Sequence, residues 1–305
     1  LRLLEVTMRA LPNALGREGC ALLARLTLVV RATDRRRAEA NLRRALPHLG
    51  ARARRRLLAR SADALGRNLH RALRLESFAA RRFPGVVCAA GPAPERRDAV
   101  AWIRHLQREG RGVLLLTGHL GCWELLGAYL AWRLDGLAVV TATVHNRDVD
   151  GWLQARRKRL GMEVLPRERG LRPVVERLAT GGVVAVLLDQ NTRVASEPVD
   201  FLGHPAPTAR GFARLALQRG TPVLPIAIAR RGNGHEVRCL RPLRPPAVAD
   251  RGAELELLTL CNTALGELVR RNPVEWVWFH DRWGMGQASR RSTDSLAGNR
   301  KEGSS

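Results

Sequence analysis

The spacing of apolar positions divides the chain into a helical front and a layered remainder. Over residues 1–31, Leu1, Leu4, Met8, Leu11 and Leu15, then Leu22, Leu26, Val29 and Val30, recur at helical intervals. This predicts an amphipathic helical stretch that Pro12 and Gly16 interrupt. Residues 35–82 keep a helical pattern but are rich in arginine, with a turn at Pro47-His-Leu-Gly50. From residue 95 short apolar runs of the kind that suit buried strands appear, at 112–117, 137–141, 163–165, 183–188, 222–229, 235–240 and 275–279. Helical patterns separate them at 97–109, 124–132, 151–160, 172–179, 208–219 and 254–271. Strands alternating with helices predict an α/β fold: a central, mostly parallel mixed sheet flanked by helices, with an N-terminal amphipathic extension. The Ser/Gly/Arg-rich tail, 284–305, is expected to be disordered.

Composition adds one strong feature. The 305 residues are 45% apolar, enough for a sizeable core, yet Lys+Arg is 52 against Asp+Glu 28, a net charge of +24. Only Lys158 and Lys301 are lysines. Such an excess fits nucleic acid, an anionic membrane surface, or an acidic substrate or carrier protein. The seven Trp, five Phe and single Tyr do not alternate with basic residues as a base-stacking platform would. Residues 1–60 carry 15 arginines against Glu5, Glu18, Asp34 and Glu39. Two readings of that run stand side by side: a solvated helical face, or a helix in the headgroup layer with its arginines on anionic lipid. The five cysteines are widely spaced and form no CxxC pair, which argues against a zinc site or a disulfide framework. The apolar run from Cys20 to Val30 is too short to span a bilayer and contains Arg25.

Candidate chemistry lies at Gly118-His-Leu-Gly-Cys-Trp-Glu124. His119 follows the first apolar strand, and strand carboxyl ends are where open α/β sheets bind ligands. A carboxylate five residues on can orient an imidazole and stabilise its protonated form while it takes a proton from a hydroxyl. Gly118 and Gly121 would keep the backbone bare for a bulky substrate. Two residues at this spacing also occur as ordinary surface groups. Cys122 is open to a nucleophile reading or, as a small side chain between Gly121 and Trp123, to a packing one.

Further stretches stand in order along the chain with the His119–Glu124 motif: Ala40-Asn-Leu-Arg-Arg-Ala-Leu-Pro47, Arg157-Lys-Arg-Leu-Gly161, Gly182-Val-Val-Ala-Val-Leu-Leu-Asp-Gln190, Phe201-Leu-Gly203, Thr208-Ala-Arg-Gly211 and Pro273-Val-Glu-Trp-Val-Trp-Phe-His-Asp-Arg-Trp283. Together they resemble the lipid A biosynthesis acyltransferases, a branch of the His-x4-Asp/Glu lysophospholipid acyltransferase superfamily. The resemblance spans roughly residues 35–283. It implies that His119 is the general base and Glu124 its orienting carboxylate, with direct transfer from a thioester, no covalent acyl-enzyme, no metal and no cofactor beyond the co-substrate. Arg157 would face a phosphorylated acceptor, as a guanidinium grips phosphate through paired donors, with Arg147 and Arg172 as further candidates of the same kind. Asp189, Gln190, Arg193 and Thr208 would help bind substrate, with a turn cap as the other reading of Asp189. Leu202 stands where the family usually has a second Phe. The Trp276–Trp283 cluster reads as core or as an interfacial belt, with His280 a further base candidate.

On that resemblance residues 1–90 form a membrane-associating helical region and 91–283 the acyltransferase domain. The expected activity moves an acyl group from acyl carrier protein or coenzyme A to a lipid A precursor or related glycolipid, at the cytoplasmic face of the inner membrane. A lysophospholipid, a phosphoinositide mannoside or an aminolipid as acceptor would use the same chemistry. No nucleic acid is expected as a partner. A basic nucleic-acid- or membrane-binding protein without catalysis is the reading from another class, and it predicts no functional loss on His119→Ala.

Overall fold

A computed structural model describes residues 11–92, 96–144, 146–191 and 194–284. The expected disordered tail therefore falls, from residue 285, outside the described residues, as does most of the first helical repeat at 1–10.

Among the described residues, four helices precede the first strand: α1 (Asn13–Val30), α2 (Ala32–Ala45), α3 (Ala51–Leu73) and α4 (Leu75–Ala80). Pro12 stands immediately before α1, where its missing N–H costs nothing. Gly16 does not interrupt the helix; it is buried in the first turn. α1 lies close against α3, and a side chain on Gly66 of α3 would collide with the backbone of Cys20 and Ala21.

The main sheet has seven strands in the order β1-β9-β8-β2-β5-β3-β4. These are β1 (Val86–Cys88), β2 (Val113–Thr117), β3 (Leu137–Thr141), β4 (Met162–Pro166), β5 (Val183–Leu187), β8 (Val223–Arg231) and β9 (Gly234–Cys239). All neighbouring pairs are parallel except β8 with β9, which are joined by a hairpin. Helices α5 (Ala99–Gln107), α6 (Trp123–Arg133), α7 (Arg147–Arg159), α8 (Arg172–Ala179), α9 (Arg210–Arg219) and α10 (Arg251–Arg271) complete the layers. Local chemistry sets several starts: the Asp98, Asn146 and Asp250 side chains accept from the first free N–H groups of α5, α7 and α10.

The uninterrupted apolar run of β2 follows from burial on both faces. Leu114 and Leu116 join a core with α2, α3, α8, α9 and α10, and Val113 and Leu115 join a second core with α5 and α6. Each leucine so buried stabilises the fold by roughly 1.5–3 kcal/mol.

Several elements differ from the sequence expectation, beginning with β1, which lies ahead of the apolar runs read from residue 95. A hairpin, β6 (Ser196–Phe201) with β7 (His204–Ala209), forms a separate two-stranded sheet. Its Pro198, Pro205 and Pro207 hide it from a strand reading, yet every strand of a two-stranded ribbon is an edge and tolerates proline. The following helix begins at Arg210 rather than 208, because Thr208 and Ala209 still pair with Glu197 and Ser196. The expected strand at 275–279 is a short 3-10 turn, Pro273–Glu275, followed by a single bridge between Trp276 and Leu120.

Candidate active site

β2 and β5 lie side by side with Thr117 paired to Leu187. Two residues beyond each strand end stand His119 and Asp189, so register alone brings together residues 70 apart in sequence. His119 Nδ1 lies 2.9 Å from Asp189 Oδ1, and the His119 backbone N–H donates to Asp189 Oδ2 at 2.7 Å. Trp276 Nε1 donates to the same oxygen at 2.8 Å. Asp189 is 1% exposed. Burial raises its pKa, but the adjacent imidazole and the bonds from His119 and Trp276 outweigh that and hold it at about 2. An ionised Asp189 fixes the proton on Nδ1 and leaves the Nε2 lone pair for a substrate.

The sequence expectation gave that orienting position to Glu124. The structure places Glu124 on another partner: Arg157 of α7, with Nη2–Oε1 2.5 Å and Nε–Oε2 3.1 Å. Glu124 sits in the first turn of α6 and its carboxylate reaches sideways to α7. Burial works against the charge of Arg157, and the Glu124 bonds outweigh it and raise its pKa. Both residues line the same cavity as His119.

The two glycines also serve a different purpose from the one expected. A side chain at Gly118 would fall 2.8 Å from the Asp189 carboxyl carbon, so Gly118 is what lets that carboxylate reach the His119 backbone. Gly121 has φ +64°, and a Cβ there would strike the Ile228 carbonyl.

Gln190 Nε2 lies 3.0 and 3.1 Å from the two ring nitrogens of His119 and 2.6 Å from His280 Nε2. A position in the ring plane equidistant from both nitrogens would collide with the carbon between them, so the amide rests against the ring face. His280 stands 5.2 Å from His119, ring centre to ring centre. Burial, then the neighbouring His119, pushes its pKa down to about 4, so at neutral pH it is uncharged. Trp123 packs edge-on to His119 at 5.0 Å.

Below this polar group extends a cavity of about 540 Å³. Its walls are mainly apolar and come from both sides of the sheet edge, among them Leu126, Leu130 and Met162 on one side and Val174, Phe212 and Leu215 on the other. The size falls within the ~300–1,000 Å³ range of ligand pockets.

The remaining sequence candidates separate cleanly. Gln190, Arg157 and Gly211 line the cavity. Thr208 does not. It is wholly buried and accepts from Asn262 Nδ2 (2.9 Å) and Arg282 Nη2 (2.9 Å). Its place in β7, packed under α10, turns it into a brace for the C-terminal segment instead of a substrate contact. Arg193 lies outside the described residues. Arg147 is exposed, and Arg172 points into solvent and pairs with Glu176. Cys122 is 2% exposed, bonds Asn68 O at 3.6 Å and has its pKa pushed up to about 12 by burial, so it is a packing thiol. Trp276 and Trp278 are buried edge to face at 4.6 Å, and Asn41 of α2 donates to the carbonyls of Trp278 (2.8 Å) and His280 (2.7 Å). The contribution of Trp276 to Asp189 was not legible, because alternating tryptophans read as core.

Residues 3–284 match the model of the bacterial lipid A biosynthesis acyltransferases. The chain belongs to that family. It is similar to phosphatidylinositol mannoside acyltransferases of two Mycobacterium tuberculosis strains, each 26% identical over 182 residues, and to that of Mycolicibacterium smegmatis, 24% identical over 182 residues. Each match covers 57% of this chain, and 55% of the M. tuberculosis proteins or 57% of the M. smegmatis protein, so the chain spans little more than half the length of these relatives.

Proposed function

We propose that this protein transfers a fatty acyl group directly from a thioester to a hydroxyl of an anionic glycolipid. The observation that carries the reading is the His119–Asp189 pair at the mouth of an apolar cavity. The cavity takes the acyl chain. His119 Nε2 accepts the proton of the acceptor hydroxyl as its oxygen bonds to the thioester carbonyl carbon. The C–S bond then breaks, and the proton passes from His119 to the departing thiolate. Asp189 holds the tautomer and stabilises the imidazolium, while Arg157, set by Glu124, faces the anionic acceptor. The donor is acyl carrier protein or coenzyme A, and no other cofactor is needed.

Family membership supports a lipid A precursor as acceptor, and the similarity to phosphatidylinositol mannoside acyltransferases supports a mannosylated phosphoinositide within the same chemical class. Mass spectrometry of membrane lipids from cells with and without the gene identifies the species that loses an acyl chain. Purified parent and His119→Ala are compared alongside for thiol release. Equal rates would sink the mechanism.

The site of action that fits is the cytoplasmic surface of the inner membrane. No described helix is long and apolar enough to cross a membrane. On α1, however, Leu15, Leu22, Leu23, Leu26, Val29 and Val30 are each more than half exposed. A helix bearing such a stripe binds peripherally, with the basic surface on anionic lipid. Vesicle sedimentation of the parent and of Leu22→Glu/Leu26→Glu tests this.

A further inference from the structure

A second cationic site lies away from His119, where the N-terminal helices meet the β8–β9 hairpin. Arg17 of α1, Arg67, His70 and Arg71 of α3, Arg230 of β8 and His235 of β9 line a small pocket of about 20 Å³. Four of these residues are arginines. Glu18, half exposed, is shared by Arg17 (2.9 Å) and Arg67 (2.8 Å). Arg71 has no carboxylate partner among the described residues; its guanidinium lies 4.7 Å from the Phe78 ring centre. Burial, and then the like charges of Arg230 and Arg17, disfavour its cationic form.

The two histidines are each 3% exposed, and His70 Nε2 and His235 Nδ1 are buried with no hydrogen-bond partner. Burial and the surrounding arginines lower the pKa of both imidazoles, that of His235 to about 3. A neutral imidazole has one N–H to place, and both rings line the pocket. Buried polar atoms without partners carry a free-energy cost that a bound group removes. The pocket is large enough for one water-sized group. An adjoining groove of about 430 Å³ shares Arg67 and Arg230 and adds Arg60 and Arg271. Its carboxylates are engaged: Asp63 with Arg25, and Glu275 with Asn68 at 3.1 Å. Buried donors, unmatched cations and room for one oxygen beside a wider groove fit a tetrahedral oxyanion.

We propose that this site binds a phosphate group. One oxygen enters between His70, His235 and Arg71, and the remainder lies in the groove against Arg67 and Arg230. The source is the headgroup of an anionic phospholipid, because α1, which supplies Arg17, also carries the exposed Leu22, Leu23 and Leu26. The site would tether the protein to lipid independently of the acyl-transfer centre.

The test uses the full chain. Thermal unfolding is followed while inorganic phosphate, or short-chain phosphatidic acid below its micellar concentration, is titrated at constant ionic strength. Saturable stabilisation by both is expected, with the lipid acting at lower concentration. Arg71→Gln should bind at least about tenfold more weakly, whereas Arg55→Gln, which removes the same charge from an exposed position on α3, should bind like the parent. Without phosphate, Arg71→Gln should be as stable as the parent or more so, because a cation lacking a counterion has been removed. Should Arg71→Gln fail to fold, His235→Phe replaces it and should lose the same affinity. Absence of phosphate stabilisation in the parent, or equal loss in Arg71→Gln and Arg55→Gln, overturns the site. Equal affinity for inorganic phosphate and phosphatidic acid overturns the lipid as its source.

Discussion

Asp189→Asn isolates the pairing on which the proposed chemistry depends. The substitution preserves shape but replaces one carboxylate oxygen with an NH2 donor. Asp189 Oδ2 accepts two N–H groups, from His119 N at 2.7 Å and Trp276 Nε1 at 2.8 Å, whereas Oδ1 accepts one, from His119 Nδ1 at 2.9 Å. The amide therefore keeps its oxygen at the doubly bonded position and turns its NH2 toward His119 Nδ1. That nitrogen must then accept, the ring proton moves to Nε2, and the lone pair that would take the hydroxyl proton is lost. The analogous tautomer switch in the serine-protease triad lowers kcat by about 10⁴-fold, and a loss of about 10³–10⁴-fold is expected here. The assay is steady-state release of free thiol from an acyl thioester with acceptor present. The fall should appear in kcat with KM little changed, since Asp189 is 1% exposed and does not line the cavity. Near-parental kcat in Asp189→Asn, with a collapse in Glu124→Gln, would show that Glu124 orients the base and would refute the reasoning.

Glu124→Gln removes the anchor of Arg157, so KM for the anionic acceptor should rise by about tenfold with a smaller change in kcat, read in the same thiol-release assay across acceptor concentrations. Gly127 lines the cavity, and a Cβ there would come within 2.8 Å of Met162 Sδ. Gly127→Val should therefore shorten the cavity and shift preference toward shorter acyl thioesters, measured by competition between donors of different length. Unchanged selectivity would mean that the chain does not reach this wall. His235 and His280 have folded pKa values of about 3 and about 4, below the unfolded value of about 6.5. Between those limits the unfolded state binds more protons, so stability is full above pH 6.5 and falls with acidification by up to about 1.4 kcal/mol per pH unit for each group. Urea titrations at successive pH values should show that slope, reduced in His235→Phe.

The chain's α/β character was legible because its signals are local. The apolar runs at β2, β3, β5 and β8 are short and unbroken because both faces of each strand are covered, and Asp or Asn residues cap three of the helices. The hairpin at 196–209 was hidden because its prolines break the strand pattern. The segment 275–279 alternates like a strand but packs as tryptophan core around one bridge.

The sequence by itself also determined which residue types lie near the chemistry: His119 after a buried strand, Glu124 five residues on, Arg157 and Asp189 in ordered motifs. Only the tertiary structure decided who pairs with whom. Parallel register between β2 and β5 puts His119 beside Asp189, and the missing Cβ of Gly118 lets them touch. The direction of α6 sends Glu124 to Arg157. Hydrogen bonds act over about 3 Å, and closeness at that scale between residues 33 or 70 positions apart comes from strand order and helix placement, to which sequence spacing is blind.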